Sequence, residues 1–175
     1  MPISLRRQLL NWLGTFGSAF LSLLAMAAPV PFWQIAGVSV DWPLIWVVCW
    51  SIRRSPLQAG CAGLALGWAL DGLTTSRPSH ALGLALAAVI TARLEKQRYI
   101  QEDFISVAVI TFVMAVLAET CMAVQYSFGG RLPLAEVWAH HQWVSLGSAL
   151  VSSLWAPLVY QPLRWWWRDE NPESA

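Results

Sequence analysis

Charge is nearly absent from long stretches of this chain, and that limits what it can fold into. No charged side chain occurs between Gln8 and Val40, and the run from Phe104 to Tyr126 is interrupted only by Glu119. Charged residues make up 12% of the chain and apolar residues 57%, against about 25% and 45–50% in soluble domains. Too few charges are available to coat a water-facing surface. The expected class is an all-α polytopic membrane protein, a bundle of about six transmembrane helices forming one domain over residues 1–175.

The breaks between apolar runs place the spans. They fall near residues 9–28, 40–52, 56–74, 80–93, 104–126 and 143–163. The first covers twenty residues, about what a 30 Å hydrocarbon core requires. Arg6-Arg7, this run and Ala25-Met26-Ala27 also resemble a signal peptide, but the run is long for an h-region of about 7–15 residues. Pro29, Pro31 and Gly37 form an uncharged connection. Asp41 is placed to cap the second helix, with Pro43 in its first turn. That helix is short for a full span. Gly129-Gly130 and Pro133 mark a loop expected to include Arg131, Glu136, His140 and His141. Trp165 to Trp167 form an interfacial anchor.

Six spans put the loops on alternating sides, and the basic residues sort accordingly. Arg6, Arg7, Arg53, Arg54, Arg93, Lys96, Arg98, Arg164 and Arg168 share one side, and Arg77 and Arg131 the other. The positive-inside rule then puts both termini in the cytoplasm, N-in and C-in.

Within this frame Gly60 to Leu82 carries the strongest pattern. Gly60, Gly63, Gly67 and Asp71 recur at three- and four-residue spacing, so they line one stripe of a helix. Small residues at that spacing let two helices approach closely in lipid. Glycine and alanine at Gly83, Ala87 and Ala88, and the series Ser145, Ala149, Ser152, Ala156, offer similar faces. Acids inside a span are costly and face the bundle interior. Asp71 lies fifteen residues beyond Pro56, and Glu119 fifteen beyond Phe104. Each is then about 22 Å from the inner end, so both are expected at one depth toward the outer leaflet. His80 is the nearest candidate partner for Asp71, and Arg77 a second. Such a cluster either binds an ion, substrate or partner or makes a hydrogen bond between helices.

Several classes are excluded or weakened. With a net charge of +1 and no basic stripe, there is no footprint for nucleic acid. Cys49, Cys61 and Cys121 lie singly in apolar runs and read as buried structural thiols. There is no G-x-S-x-G elbow. Glu136 and His140-His141 fall short of the three or four converging ligands a metal needs. The expectation is a non-enzymatic protein with no catalytic residue, cofactor or metal. The charged segment Arg93 to Asp103 reads as a solvated connector.

The order of these features resembles the MreD family of rod shape-determining inner-membrane proteins. The similarity covers nearly the whole chain. It is most specific from Asp41-Trp42 through Trp50 to Gly67-x-x-x-Asp71 and His80-Ala81-Leu82, and again at Leu154-Trp155-Ala156-Pro157. The chain departs from the family at the turn, where Ser79 stands in place of a common Gly. The resemblance implies a multi-pass scaffold in the bacterial inner membrane. It would bind an MreC-like bitopic protein and, through it, link MreB filaments to the glycosyltransferase and penicillin-binding transpeptidase of wall elongation. Gly60, Gly63, Gly67, Asp71, His80, Glu119, Trp155 and Pro157 then become helix-packing and partner-docking candidates. The alternative is the substrate-binding subunit of an energy-coupling-factor vitamin transporter. There Asp71, Glu119 and His80 would line an outward-facing pocket, and Gly14, Ser18 and Ser22 would meet a coupling subunit.

Overall fold

The computed structural model describes residues 5–28, 34–35, 38–74, 79–96, 104–128 and 134–167. The fold is all-α. Its helices are α1 (Leu5–Ala27), α2 (Trp42–Ser51), α3 (Pro56–Thr74), α4 (His80–Lys96), α5 (Phe104–Phe128) and α6 (Leu134–Trp167). Between α1 and α2, two-residue strands β1 (Gln34–Ile35) and β2 (Val38–Ser39) pair antiparallel, with Gln34 opposite Ser39.

The bundle is organised around its shortest helix. α2 has 10 residues, about 15 Å of length and half a bilayer. It touches each of the other five helices. Pro43 through Cys49 and Ser51 are buried, because a helix that is apolar on every side has no face to give to water. The expected second span is therefore a half-length core helix enclosed by its neighbours. Asp41 fixes its start: the carboxylate accepts from Leu44 N–H at 3.0 Å, and proline occupies the first turn.

Two other expectations change. α6 begins at Leu134, so Glu136, His140 and His141 lie on a helix rather than in a loop. α4 continues to Lys96, three residues further into the charged segment read as a connector. Arg77, Arg98, Arg131 and Arg168 lie outside the described residues.

Large apolar residues of α2, such as Leu44, Ile45, Val47 and Val48, fill the centre, small side chains line many of the contacts around it, and further large side chains stand outward. Ala59, Ala81, Ala87, Ala88, Ala92, Ala149 and Ala156 are buried, as are Thr91, Thr111 and Ser152. The two threonine hydroxyls donate to carbonyls one turn back, Ala87 O and Val107 O, each at 2.8 Å. Large exposed side chains occur on α1 (Trp12, Phe16, Phe20), α3 (Leu57, Trp68), α4 (Leu82, Leu86), α5 (Ile105, Val109, Val113) and α6 (Leu150, Leu154, Leu158). Among the described residues one helix, Phe104–Phe128, is long and apolar enough by itself to cross a membrane. Asn11–Ala27, Trp42–Ser51 and His80–Leu94 are shorter apolar helices.

Candidate functional site: the Asp71 junction

The glycine stripe of α3 packs against α4, the most extensive helix pair among the described residues. A methyl group at Gly67 would sit 2.2 Å from Ala81 Cα and 2.6 Å from its nitrogen. At Gly63 it would lie 2.7 Å from both Ala85 Cα and the Leu84 carbonyl, and at Gly60 2.9 Å from a Val89 methyl. The approach tightens steadily toward the Asp71 end. Because α4 fills this face, Gly60, Gly63 and Gly67 serve packing within the chain and are closed to a docking partner.

One turn beyond Gly67, the close approach brings Asp71 to the first residues of α4. Ser79 Oγ donates to Asp71 Oδ2 at 2.6 Å, and His80 N–H donates to Oδ1 at 2.8 Å. His80 Nδ1 lies 2.7 Å from the same Oδ1. Ser79 Oγ also accepts from Ala81 N–H at 3.2 Å. A carboxylate from one helix thus caps the amino end of the next, where free N–H groups and the helix dipole favour negative charge. From α5, Gln125 closes the junction. Its Oε1 accepts from Ser79 N–H at 3.2 Å, and its Nε2 donates to Ser79 O at 3.1 Å.

The Asp71 carboxylate thus makes hydrogen bonds between helices within the chain. His80 and Asp71 are paired, with side chains 24% and 19% exposed. Partly exposed pairs of this kind contribute little as charge pairs alone. The ordered backbone and hydroxyl donors give the contact its directionality.

Glu119 stands six residues before Gln125 on α5, about 9 Å along the helix. It lines a cavity of about 120 Å³ between α5 and α6, together with Thr120, Gln142 and Ser145. Asp41 lies within electrostatic reach of both Glu119 and His80.

The second family-like element stands against α2. Ser152 Oγ accepts from Asp41 N–H at 3.0 Å, and the Trp155 and Trp42 rings meet edge-on with centroids 5.6 Å apart. Pro157 is buried inside α6, one residue beyond Ala156, whose carbonyl receives the Cys49 thiol at 3.8 Å. Asp41-Trp42 and Trp155-Ala156-Pro157 are therefore the two halves of one helix contact. On α1, Ser18 Oγ accepts from Trp46 Nε1 at 2.9 Å and Ser22 is buried. Ser18 therefore faces α2.

Sequence reasoning did not identify Ser79 or Gln125 as members of the junction. Ser79 carried a signal, because serine is a favoured N-cap. Gln125 carried only its polarity within an apolar run. Among the described residues no group of three or more His, Cys, Asp or Glu converges to hold a metal. Comparison with family models, with curated proteins and with solved structures gave no match, so function is argued from the molecule's own geometry.

Proposed function

We propose that the protein is a non-enzymatic, multi-pass scaffold of the bacterial inner membrane, acting in rod-shape wall elongation in the manner of the MreD family. It would engage an MreC-like bitopic protein and, through it, MreB filaments, the glycosyltransferase and the transpeptidase. The observation that carries this reading is the inside-out distribution of side chains. Large apolar residues stand outward on five helices as well as filling the centre around α2, while alanine, glycine, serine and threonine line many of the helix contacts. An exposed apolar surface of that extent suits lipid, and small-residue contacts suit helix association within it. α2 fits a bilayer despite its length because its neighbours shield it from lipid.

The resemblance supplies the particular process, and the roles of its motif residues are compatible with a scaffold. Asp41-Trp42, Gly67-x-x-x-Asp71, His80-Ala81 and Trp155-Ala156-Pro157 all serve helix junctions. The transporter alternative is less well supported. Asp71 and His80 satisfy each other, and the cavity at Glu119 is about 120 Å³, below the roughly 300–1,000 Å³ of small-molecule sites.

Depletion in the native cell tests the proposal. Loss of elongated shape and of lateral wall synthesis is expected. Unchanged shape with a new vitamin requirement would favour the transporter reading. Extraction of the protein from the cell envelope by salt or alkali without detergent would refute the bilayer assignment. A carboxyl-terminal fluorescent fusion should light up in the cytoplasm, whereas a periplasmic reporter at the same end should stay inactive.

A further inference from the structure

A second polar site lies between α5 and α6, away from the Asp71 junction. Glu119 stands nine residues before the end of α5 and Gln142 eight beyond the start of α6. Both are therefore about 12–14 Å from the connection between the two helices. Glu119 and Thr120 from α5 line a cavity of about 120 Å³ with Gln142 and Ser145 from α6.

The polar part of that lining is rich in lone pairs. Thr120 Oγ1 donates to Val116 O at 2.7 Å, and Ser145 Oγ donates to Gln142 O at 3.2 Å. A hydroxyl has one proton and two lone pairs. Each has spent its proton on its own helix, so only acceptor capacity is left for the cavity. An ionised carboxylate is acceptor-only, with about four lone-pair sites on two oxygens. Glu119 can therefore meet an occupant while keeping another contact in the chain. The Gln142 amide can present its carbonyl oxygen. Among the described residues no lining side chain is basic. Asp41, held at the start of α2 by Leu44 N–H, adds a second acid within electrostatic reach of Glu119. Oxygens whose protons are turned away call for a cation.

Size and charge select which cation. At about 30 Å³ per water, the space equals about four waters. That holds a small ion with part of its hydration shell, and falls below the roughly 300–1,000 Å³ of organic-ligand sites. Hydroxyl, amide and carboxylate oxygens are hard donors, suited to hard cations rather than to zinc or copper. Glu119 is the one acid among the lining residues, and it balances one positive charge. A divalent ion would leave excess charge beside Val116, Ala123 and Leu146, which complete the lining, and uncompensated charge in such surroundings is costly.

We infer that this cavity binds a monovalent alkali cation, sodium or potassium, through the Glu119 carboxylate and the oxygens of Thr120, Ser145 and Gln142. The ion ties α5 to α6 and neutralises an acid that an apolar helix carries only at a cost.

The test is retention of radioactive sodium, or of rubidium standing in for potassium, by the full chain purified in dodecyl maltoside. Competition is run at constant ionic strength. Wild type should retain one of the two tracers saturably, displaced by unlabelled sodium or potassium and not by choline. The stronger competitor identifies the ion. Glu119→Gln keeps the shape and removes the charge. It should weaken binding by about tenfold or more, the equivalent of about 1.4 kcal/mol. Thr120→Val removes one oxygen at nearly constant volume and should weaken binding about two- to tenfold. Gel filtration checks that both variants keep the wild-type elution. Failure of wild type to retain either tracer saturably would overturn the proposal, as would unchanged retention in both variants. Displacement by choline would overturn it by assigning retention to surface charge. Tighter competition by calcium would overturn the monovalent assignment. Retention is read on purified protein, so this proposal and the cell-shape proposal fail independently.

Discussion

Replacing Gly67 by alanine is the sharpest test of how this bundle is held together. The added methyl would stand 2.2 Å from Ala81 Cα, whereas carbon atoms rest at about 3.5–4.0 Å. α3 and α4 must therefore separate by about 1.5 Å at this level. The same movement draws Asp71 Oδ1 away from His80 N–H, from 2.8 Å to about 4 Å, beyond the roughly 3.2 Å limit of a hydrogen bond. Overpacking costs about 1–3 kcal/mol, and loss of a hydrogen bond to a charged group about 1.5–3 kcal/mol. Alanine returns about 1 kcal/mol through helix propensity. The net expectation is a loss of about 3 kcal/mol, or about 6–12 °C in Tm for a chain of this size. Thermal denaturation in dodecyl maltoside, followed by tryptophan fluorescence, measures it. Gly72→Ala is the control, because nothing lies within 4 Å of its added methyl; it should be neutral or slightly stabilising. The cost should fall in the order Gly67, Gly63, Gly60. Adding Asp71→Ala to Gly67→Ala should cost less than the sum of the two, since both act on one junction. A Gly67→Ala protein as stable as Gly72→Ala, or strict additivity in the double variant, would refute the reasoning.

The other predictions concern the caps and the thiols. Asp71→Ala should lower stability by about 2–3 kcal/mol, and Asp71→Asn by less, since the amide oxygen can still accept from His80 N–H; equal losses in thermal melts would mean that charge and not hydrogen bonding matters. Moving the acid one position, as Asp71→Gly with Gly72→Asp, should fail to rescue Asp71→Gly, because a residue step turns the side chain about 100° away from α4; rescue in the same melts would contradict the capping geometry. Ser152→Ala should cost about 1–3 kcal/mol by leaving Asp41 N–H without its acceptor, and Asp41→Ala about 0.5–2 kcal/mol as a lost helix cap. The expectation of three buried thiols holds for Cys49 alone, since Cys61 is exposed and Cys121 half-buried; in detergent a maleimide should therefore label Cys61 rapidly and Cys49 only after denaturation, and the mass shift after brief labelling reads this directly.

The packing faces were legible because they depend on sterics at fixed helical spacing. Gly60, Gly63 and Gly67 have to share a stripe, and a stripe without side chains invites a close neighbour. Asp41 and Pro43 marked the start of α2 for equally local reasons. The central position of α2 was also encoded, since Trp42 to Ser51 has no polar face, but its run was read there as a short span. The partners of Asp71 were less accessible. His80 is near in sequence, whereas Gln125 is 46 residues from Ser79 and arrives only through the packing of α5 on α4. Gly83, whose added methyl would meet the Ala118 carbonyl at 3.1 Å, sets that approach. The position of Glu119 relative to Asp71 was out of reach for a related reason. Counting residues from each helix start assumes that the starts are level, and the Ser79–Gln125 contact shows which residues of α5 face the junction.

Gly67 and Asp71 therefore form one device, and each explains the other. Without a side chain at 67, the first turn of α4 comes close enough for a carboxylate four residues on to reach its N–H groups. Without that carboxylate, the close approach would leave N–H groups at the start of α4 without an acceptor, at a cost of about 1–3 kcal/mol each. An acid in an apolar helix ordinarily invites an ion or a substrate. Here the chain's own donors already occupy its oxygens, and Gln125 extends the lock to a third helix. Such a junction stiffens α3, α4 and α5 into one unit. α1 is held to the core mainly through α2, by contacts such as Trp46 with Ser18. α1 and α3 meet only lightly, so the looser seam of the bundle runs between that unit and the outlying helix.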